Sequence, residues 1–311
     1  MSGGRAPGTS ETAFTPAAIL RSGAWLSILF WGASFVATRD ALRAFHPYAL
    51  VAARFALGAL VLLLLLVLRR EPLLPRRADR ARGLLLGLIL GVHIAVQAFA
   101  LHYTSAVHSG WIVGFCPVVI ALGAQLFLGQ RLPGLAWGGI GLASAGVLLI
   151  AFEHSVELAR AGWGDLLVFG TTFSWAAYTL LSARAVQGSG PLRTSAFAMA
   201  VASLLSALLA LVQGEALLAA PDLRAWGSLA FLGLCCSGAA FWLWNRAVLR
   251  LGPARLGGLI YFQPFVTAAL SVWLLGERVR WNTWLGGPLV VLGVWLMGLR
   301  KPRPPGSTSR A

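Results

Sequence analysis

The chain has 311 residues, of which 58% are hydrophobic and only 11% charged, with a mean hydropathy of +0.77. So few charges cannot cover a water-facing globule, which excludes an ordinary soluble domain and makes the bilayer the first solvent to consider. The net charge of +15 would suit nucleic acid, but the 25 Lys and Arg fall mainly in short gaps between apolar runs, where membrane orientation signals lie, and this excludes a nucleic-acid partner.

Residues 1–20, rich in Gly, Ser, Thr and Pro, read as a disordered tail. The first apolar window, 23–38, lacks a basic leader and a cleavage site and is read as a retained helix. The second, 47–68, opens on Pro47, which suits a first helical turn because its missing N–H has no intrahelical partner there. It carries Arg54 about two turns in. Arg69, Arg70, Arg76, Arg77, Arg80 and Arg82 fill the next gap and read as an orientation anchor in reach of anionic headgroups. In the third window, 84–103, His93 and Gln97 are four apart and share a helix face. The fourth, 107–128, holds Trp111 and Pro117, and the fifth runs over 134–152. Trp175 and Tyr178 lie one turn apart in the sixth, 164–184, and the seventh covers 192–213. Asn245 belongs to the eighth, 226–248, Tyr261 and Pro264 to the ninth, 254–275, and the tenth is 282–299, before a second disordered tail over 301–311. A span needs about 20 mostly apolar residues, so the chain reads as an all-α polytopic membrane protein of ten transmembrane helices.

With the N-terminus inside, 18 Lys and Arg face the cytoplasm against six outside, with Arg54 within a span, so both termini are expected in the cytoplasm. A shift of 147 residues places Phe115 on Phe262, Pro117 on Pro264, Gly129 on Gly276, Arg131 on Arg278, Trp137 on Trp284, Gly139 on Gly286 and Gly146 on Gly293. Chance does not hold one register, without gaps, through two helices and a loop. Five helices per half make the second copy cross in the opposite sense, the inverted duplication of secondary transporters. The halves are expected at 21–152 and 153–300.

The runs FWGASFVATRDAL (30–42), HPYALVAARFALGAL (46–60), LHYTSAVHSG (101–110), FCPVVIALGAQLFLGQRL (115–132) and YFQPFVTAALSVWLLGERV (261–279) resemble EamA-type members of the drug/metabolite transporter superfamily. That resemblance implies two inverted five-helix EamA repeats around a central solute site. It also suggests amino acids or related metabolites as substrates, with export as the direction. One departure stands out: the acid of the second GER motif, Glu277, is Gln130 in the first copy.

Several residues could build such a site. Pro117 and Pro264 each remove a backbone hydrogen bond, and paired interruptions in corresponding helices point to a transporter's centre, although kinks also simply shape packing. Arg54 costs free energy in hydrocarbon unless partnered, as an anchor for a substrate carboxylate or as a structural ion pair. His93 is the one titratable group expected near mid-membrane and a candidate for the cavity wall, with Gln97 and Asn245 either beside it or bonding helix to helix. Trp111, Trp175, Tyr178 and Tyr261 could form aromatic walls for a ligand's apolar part, or pack. Cys116, Cys235 and Cys236 read as packing residues, and Glu277 with its neighbours as a structural turn.

No catalytic, metal or cofactor motif is found, so neither an enzyme nor a cofactor is expected. Without a P-loop, transport would be facilitated or coupled to a proton or solute gradient. The reading is therefore a secondary transporter of small organic solutes across a bacterial inner membrane. Its rivals are efflux of cationic drugs, a membrane-embedded enzyme and a non-transporting scaffold.

Overall fold

The computed structural model describes residues 22–128, 134–151, 161–216, 222–251 and 256–298, and among them every regular element is a helix. The tails, the 153–160 loop, Gln130 and Arg131 lie outside the described residues.

Helix α1 (Ala24–Ala41) is followed by α2 (Pro47–Leu68), whose bounds match the apolar window because Pro47 starts it. The next helix, α3 (Arg77–Ala100), begins seven residues before its window. Its first turn is polar: Asp79 accepts a hydrogen bond from Ser189 Oγ at 2.7 Å and pairs with Arg82 at 3.0 Å, so the helix is anchored below its apolar stretch. The window 107–128 is split into α4 (Ala106–Val113) and α5 (Cys116–Leu128) by a turn at Gly114 and Phe115. Pro117 is the second residue of α5, so it follows a break instead of kinking a continuous helix. Then come α6 (Gly134–Ala151), α7 (Ala161–Ser189) and α8 (Pro191–Val212), α7 and α8 being separated by Gly190 at φ 83°.

The eighth window, 226–248, falls on three successive elements that extend three residues beyond it at each end: α9 (Leu223–Phe231), a π-helical segment (Leu232–Ala239) and α10 (Ala240–Leu251). A 3-10 helix (Gly257–Phe262) leads into α11 (Gln263–Leu270), which carries Pro264 in its first turn. A second π segment (Ser271–Leu275) ends at Gly276, in the left-handed region at φ 65°, and α12 (Trp281–Gly298) follows. A Cβ added to Gly114 would lie 3.1 Å from Pro264 Cγ, so the break before α5 packs against the proline of α11.

Glycines let α6 and α12 meet backbone to backbone. A Cβ on Gly286 would sit 2.6 Å from the Gly146 carbonyl oxygen, and one on Gly293 would sit 2.5 Å from that of Gly139. The outer faces are apolar: Leu60, Leu64 and Leu68 of α2 and Leu204, Leu208 and Leu211 of α8 are exposed. Water would not tolerate such leucine rows, whereas acyl chains do. Six stretches of the described chain are long and apolar enough to cross a bilayer: Pro47–Leu68, Arg77–Ala100, Ala106–Gly123, Gly162–Ser189, Pro191–Val212 and Leu223–Leu251.

Candidate functional site: a pocket around Arg54

Helices α1, α2, α3, α4, α7, α10 and α11 line a small, partly open pocket between them. Arg54 enters it from α2 and is 3% exposed. One turn further on, a Cβ at Gly58 would lie 3.0 Å from both Gly238 N and Ser237 Cβ. This close approach lets Arg54 Nε donate to Ser237 Oγ at 3.1 Å, in the π segment. Among the described residues no carboxylate lies within ion-pair distance of Arg54.

His93 and Gln97 share the α3 face that borders the pocket, and both are tied to α7. Ser174 Oγ donates to the Thr171 carbonyl at 2.9 Å, so the Ser174 oxygen and that carbonyl both stand as acceptors for His93 Nδ1–H, at 2.8 and 3.1 Å. In the neutral ring this leaves Nε2 as the acceptor. Gln97 Nε2 donates to Thr171 Oγ1 at 3.1 Å. The imidazole is therefore both wall and strut.

Trp175 of α7 and Trp31 of α1 form an aromatic corner, their ring centroids 4.9 Å apart at 81°, with Phe241 of α10 at 5.1 Å from Trp31. Trp31 Nε1 donates to the Cys236 carbonyl at 3.0 Å, again in the π segment. Ser34, Phe35, Ile94, Val113 and Gln263 complete the wall.

Of the residues singled out from sequence, the wall thus holds Arg54, His93, Gln97 and Trp175, while Trp111, Pro117, Tyr178, Asn245 and Pro264 are not among its lining residues. Tyr178 stacks behind Trp175 at 5.5 Å and 16°, and Asn245 Nδ2 donates to Tyr178 Oη at 3.0 Å and to Ser195 Oγ at 2.8 Å. These two buttress the corner from behind. Trp111 covers Gly287, whose added Cβ would fall 2.7 Å from the indole, and meets Phe265 edge-on at 5.2 Å. Tyr261 belongs to the 3-10 helix, and its side chain lies outside the described residues. Sequence reasoning missed Ser34, Phe35, Phe241 and Gln263 as wall residues. The run FWGASF held the signal for the first two, and Gln263 adjoins the proline that marks the break.

Apolar spans around a small pocket that holds the buried Arg54 cation and an aromatic corner define a polytopic membrane protein with a polar site among its helices. The chain belongs to the EamA-like transporter family, whose profile matches residues 22–152 and 162–299. It is 28% identical to the uncharacterized transporter YyaM of Bacillus subtilis (strain 168), over 86% of this chain and 89% of that one. It is 26% identical to the uncharacterized inner membrane transporter YedA of Escherichia coli (strain K12), over 88% of each. A probable amino-acid metabolite efflux pump of the same strain is 27% identical over 89% of this chain and 94% of its own. A solved crystal structure superposes with a TM-score of 0.70 at 23% identity, covering 91% of this chain and 98% of that one, a likeness of fold.

Proposed function

We propose that this protein is a secondary transporter of the bacterial inner membrane that carries small organic solutes bearing a carboxylate, with amino acids and related metabolites as the leading class and export as the direction. The observation that carries the substrate reading is Arg54, buried in the pocket wall and answered by a neutral hydroxyl instead of a carboxylate. A cation at the centre of a helix in a bilayer costs about 2.5–3.5 kcal/mol on insertion scales, and an anionic guest offsets that cost. The aromatic corner suits the apolar part of the same guest. Efflux of cations fits less well, since the pocket presents a positive charge and no acid.

In this reading ten spans form two inverted halves, residues 21–152 and 153–300, with both termini cytoplasmic, that rock about the pocket in alternating access. The 147-residue register supports it, as does the family profile matching twice. So does the reciprocal crossing in which Gly146 meets Gly286 and Gly139 meets Gly293, the pattern an isologous two-fold contact produces. The relatives named as an inner membrane transporter and an amino-acid metabolite efflux pump support the location and the solute class. Proteoliposomes loaded with a panel of amino acids, their amides and cationic dyes test the proposal. Carriage of carboxylate solutes in preference to amides and dyes is the expected result, and carriage of dyes alone would reject it.

A further inference from the structure

Outside the pocket, buried titratable groups gather at one end of the bundle, around the connection 101–106 between α3 and α4. His108, in the first turn of α4, is 5% exposed, and Asp165, in α7, is 3% exposed. His108 Nδ1 lies 3.4 Å from Asp165 Oδ2, and Thr104 Oγ1 donates to Asp165 Oδ1. Two charges from other elements face the same segment. Arg39 of α1 donates from Nη1 to the Leu101 and Thr104 carbonyls, at 2.5 Å each. Glu277, just past the second π segment, accepts from the N–H groups of Ala106 and Val107, at 3.1 and 3.0 Å. Helices α6 and α12, which also touch α4, contain no titratable residue over 134–151 and 281–298.

These charges divide into two kinds. Arg39 sits on carbonyls at the end of α3 and Glu277 on amides at the start of α4, each at the helix pole that favours its sign, so both are engaged by backbone. Asp165 and His108 instead face each other, a buried carboxylate beside a buried imidazole, and together they can hold one exchangeable proton. With the carboxylate ionised and the imidazole neutral the pair carries one negative charge. One added proton makes it neutral overall, as imidazolium beside carboxylate. Asp165 lies six residues before Thr171 on α7, about 9 Å along the axis, and Thr171 holds both His93 and Gln97 of the pocket. His108 lies five residues before Val113 of the pocket wall on α4. A change of one unit charge at the pair therefore acts on two helices that build the pocket.

We propose that His108 and Asp165 form a proton-binding site, distinct from the pocket, whose occupancy couples solute movement to a proton gradient; this rests on the transport reading above. The proton enters from the aqueous side nearest the 101–106 connection and leaves to the opposite side in the alternate state, so each cycle moves one proton and neutralises the pair once.

The test uses the full chain in liposomes, with the proton itself as the first probe. Infrared difference spectra over pH 5–9 should contain imidazole bands, with a shift of the neighbouring carboxylate stretch, that vanish in both Asp165→Asn and His108→Gln. In transport, wild-type liposomes should accumulate a carried amino acid when a pH gradient is imposed. The two variants should lose that accumulation at least 10-fold while still exchanging the same amino acid at equal pH. A structural role alone would lower folded yield and exchange together. Unchanged spectra, or variants that accumulate at the wild-type ratio, would overturn the proposal. If Asp165→Asn does not fold, His108→Gln carries both measurements. The spectral measurement needs no solute, so it decides the proton site even where no amino acid of the panel is carried.

Discussion

Replacing Arg54 by lysine separates an anchor from a strut. Lysine keeps the positive charge but loses the planar fork that can engage a carboxylate with two parallel N–H groups while Nε donates to Ser237 at 3.1 Å. A hydrogen bond to a charged group is worth about 1.5–3 kcal/mol, which corresponds to roughly 10- to 150-fold in binding. The pocket wall is buried at this point, so little discount for solvent screening applies. Arg54→Lys is therefore expected to lower kcat/KM for a transported amino acid by about 10- to 100-fold while changing its amide by less than about threefold. Initial uptake rates into proteoliposomes, normalised to folded protein, measure both. Equal losses for the acid and its amide would refute the anchor, because a strut serves every solute alike.

Ser237→Ala leaves the buried Arg54 Nε–H without its acceptor and should cost about 1–3 kcal/mol, read as a lower melting temperature in detergent with the order of solute preference retained. Gly286→Leu places a branched side chain where even a Cβ would fall 2.6 Å from the Gly146 carbonyl; the variant should yield no monodisperse folded peak in size-exclusion chromatography. Glu277→Gln keeps one side-chain acceptor for two amides and should lower stability by about 0.5–2 kcal/mol in the same thermal assay. A reporter fused after Ala311 should be active only in its cytoplasmic form, and a periplasmic signal would overturn the inverted-repeat reading.

Hydropathy located the helices well where apolar runs and punctuation coincide, as over Pro47–Leu68. It failed where a helix continues in polar residues, as in the Arg77–Gly83 turn held by Asp79, because that turn is stabilised by Ser189, 110 residues away, and not by lipid. It also read through the π segments, which change the hydrogen-bond ladder but not the composition. Arg54, His93 and Gln97 stood out because lipid offers them no partner. Their actual partners, Ser237, Thr171 and Ser174, are common residues whose roles depend on which helices meet. Asp165 sits at the start of its apolar window and His108 within the run LHYTSAVHSG, 57 residues apart, so nothing in the sequence joins them.

The double duty of His93 bears on how this pocket can be altered. Because its Nδ1 ties α3 to α7, a change there costs cohesion as well as chemistry. Ser34 is different: among the described residues its hydroxyl donates to the Trp31 carbonyl of its own helix, so replacing it reshapes the pocket without untying two helices. Directed evolution for a new solute should therefore collect its first tolerated substitutions at Ser34, and reach His93 only after stabilising changes elsewhere have been acquired.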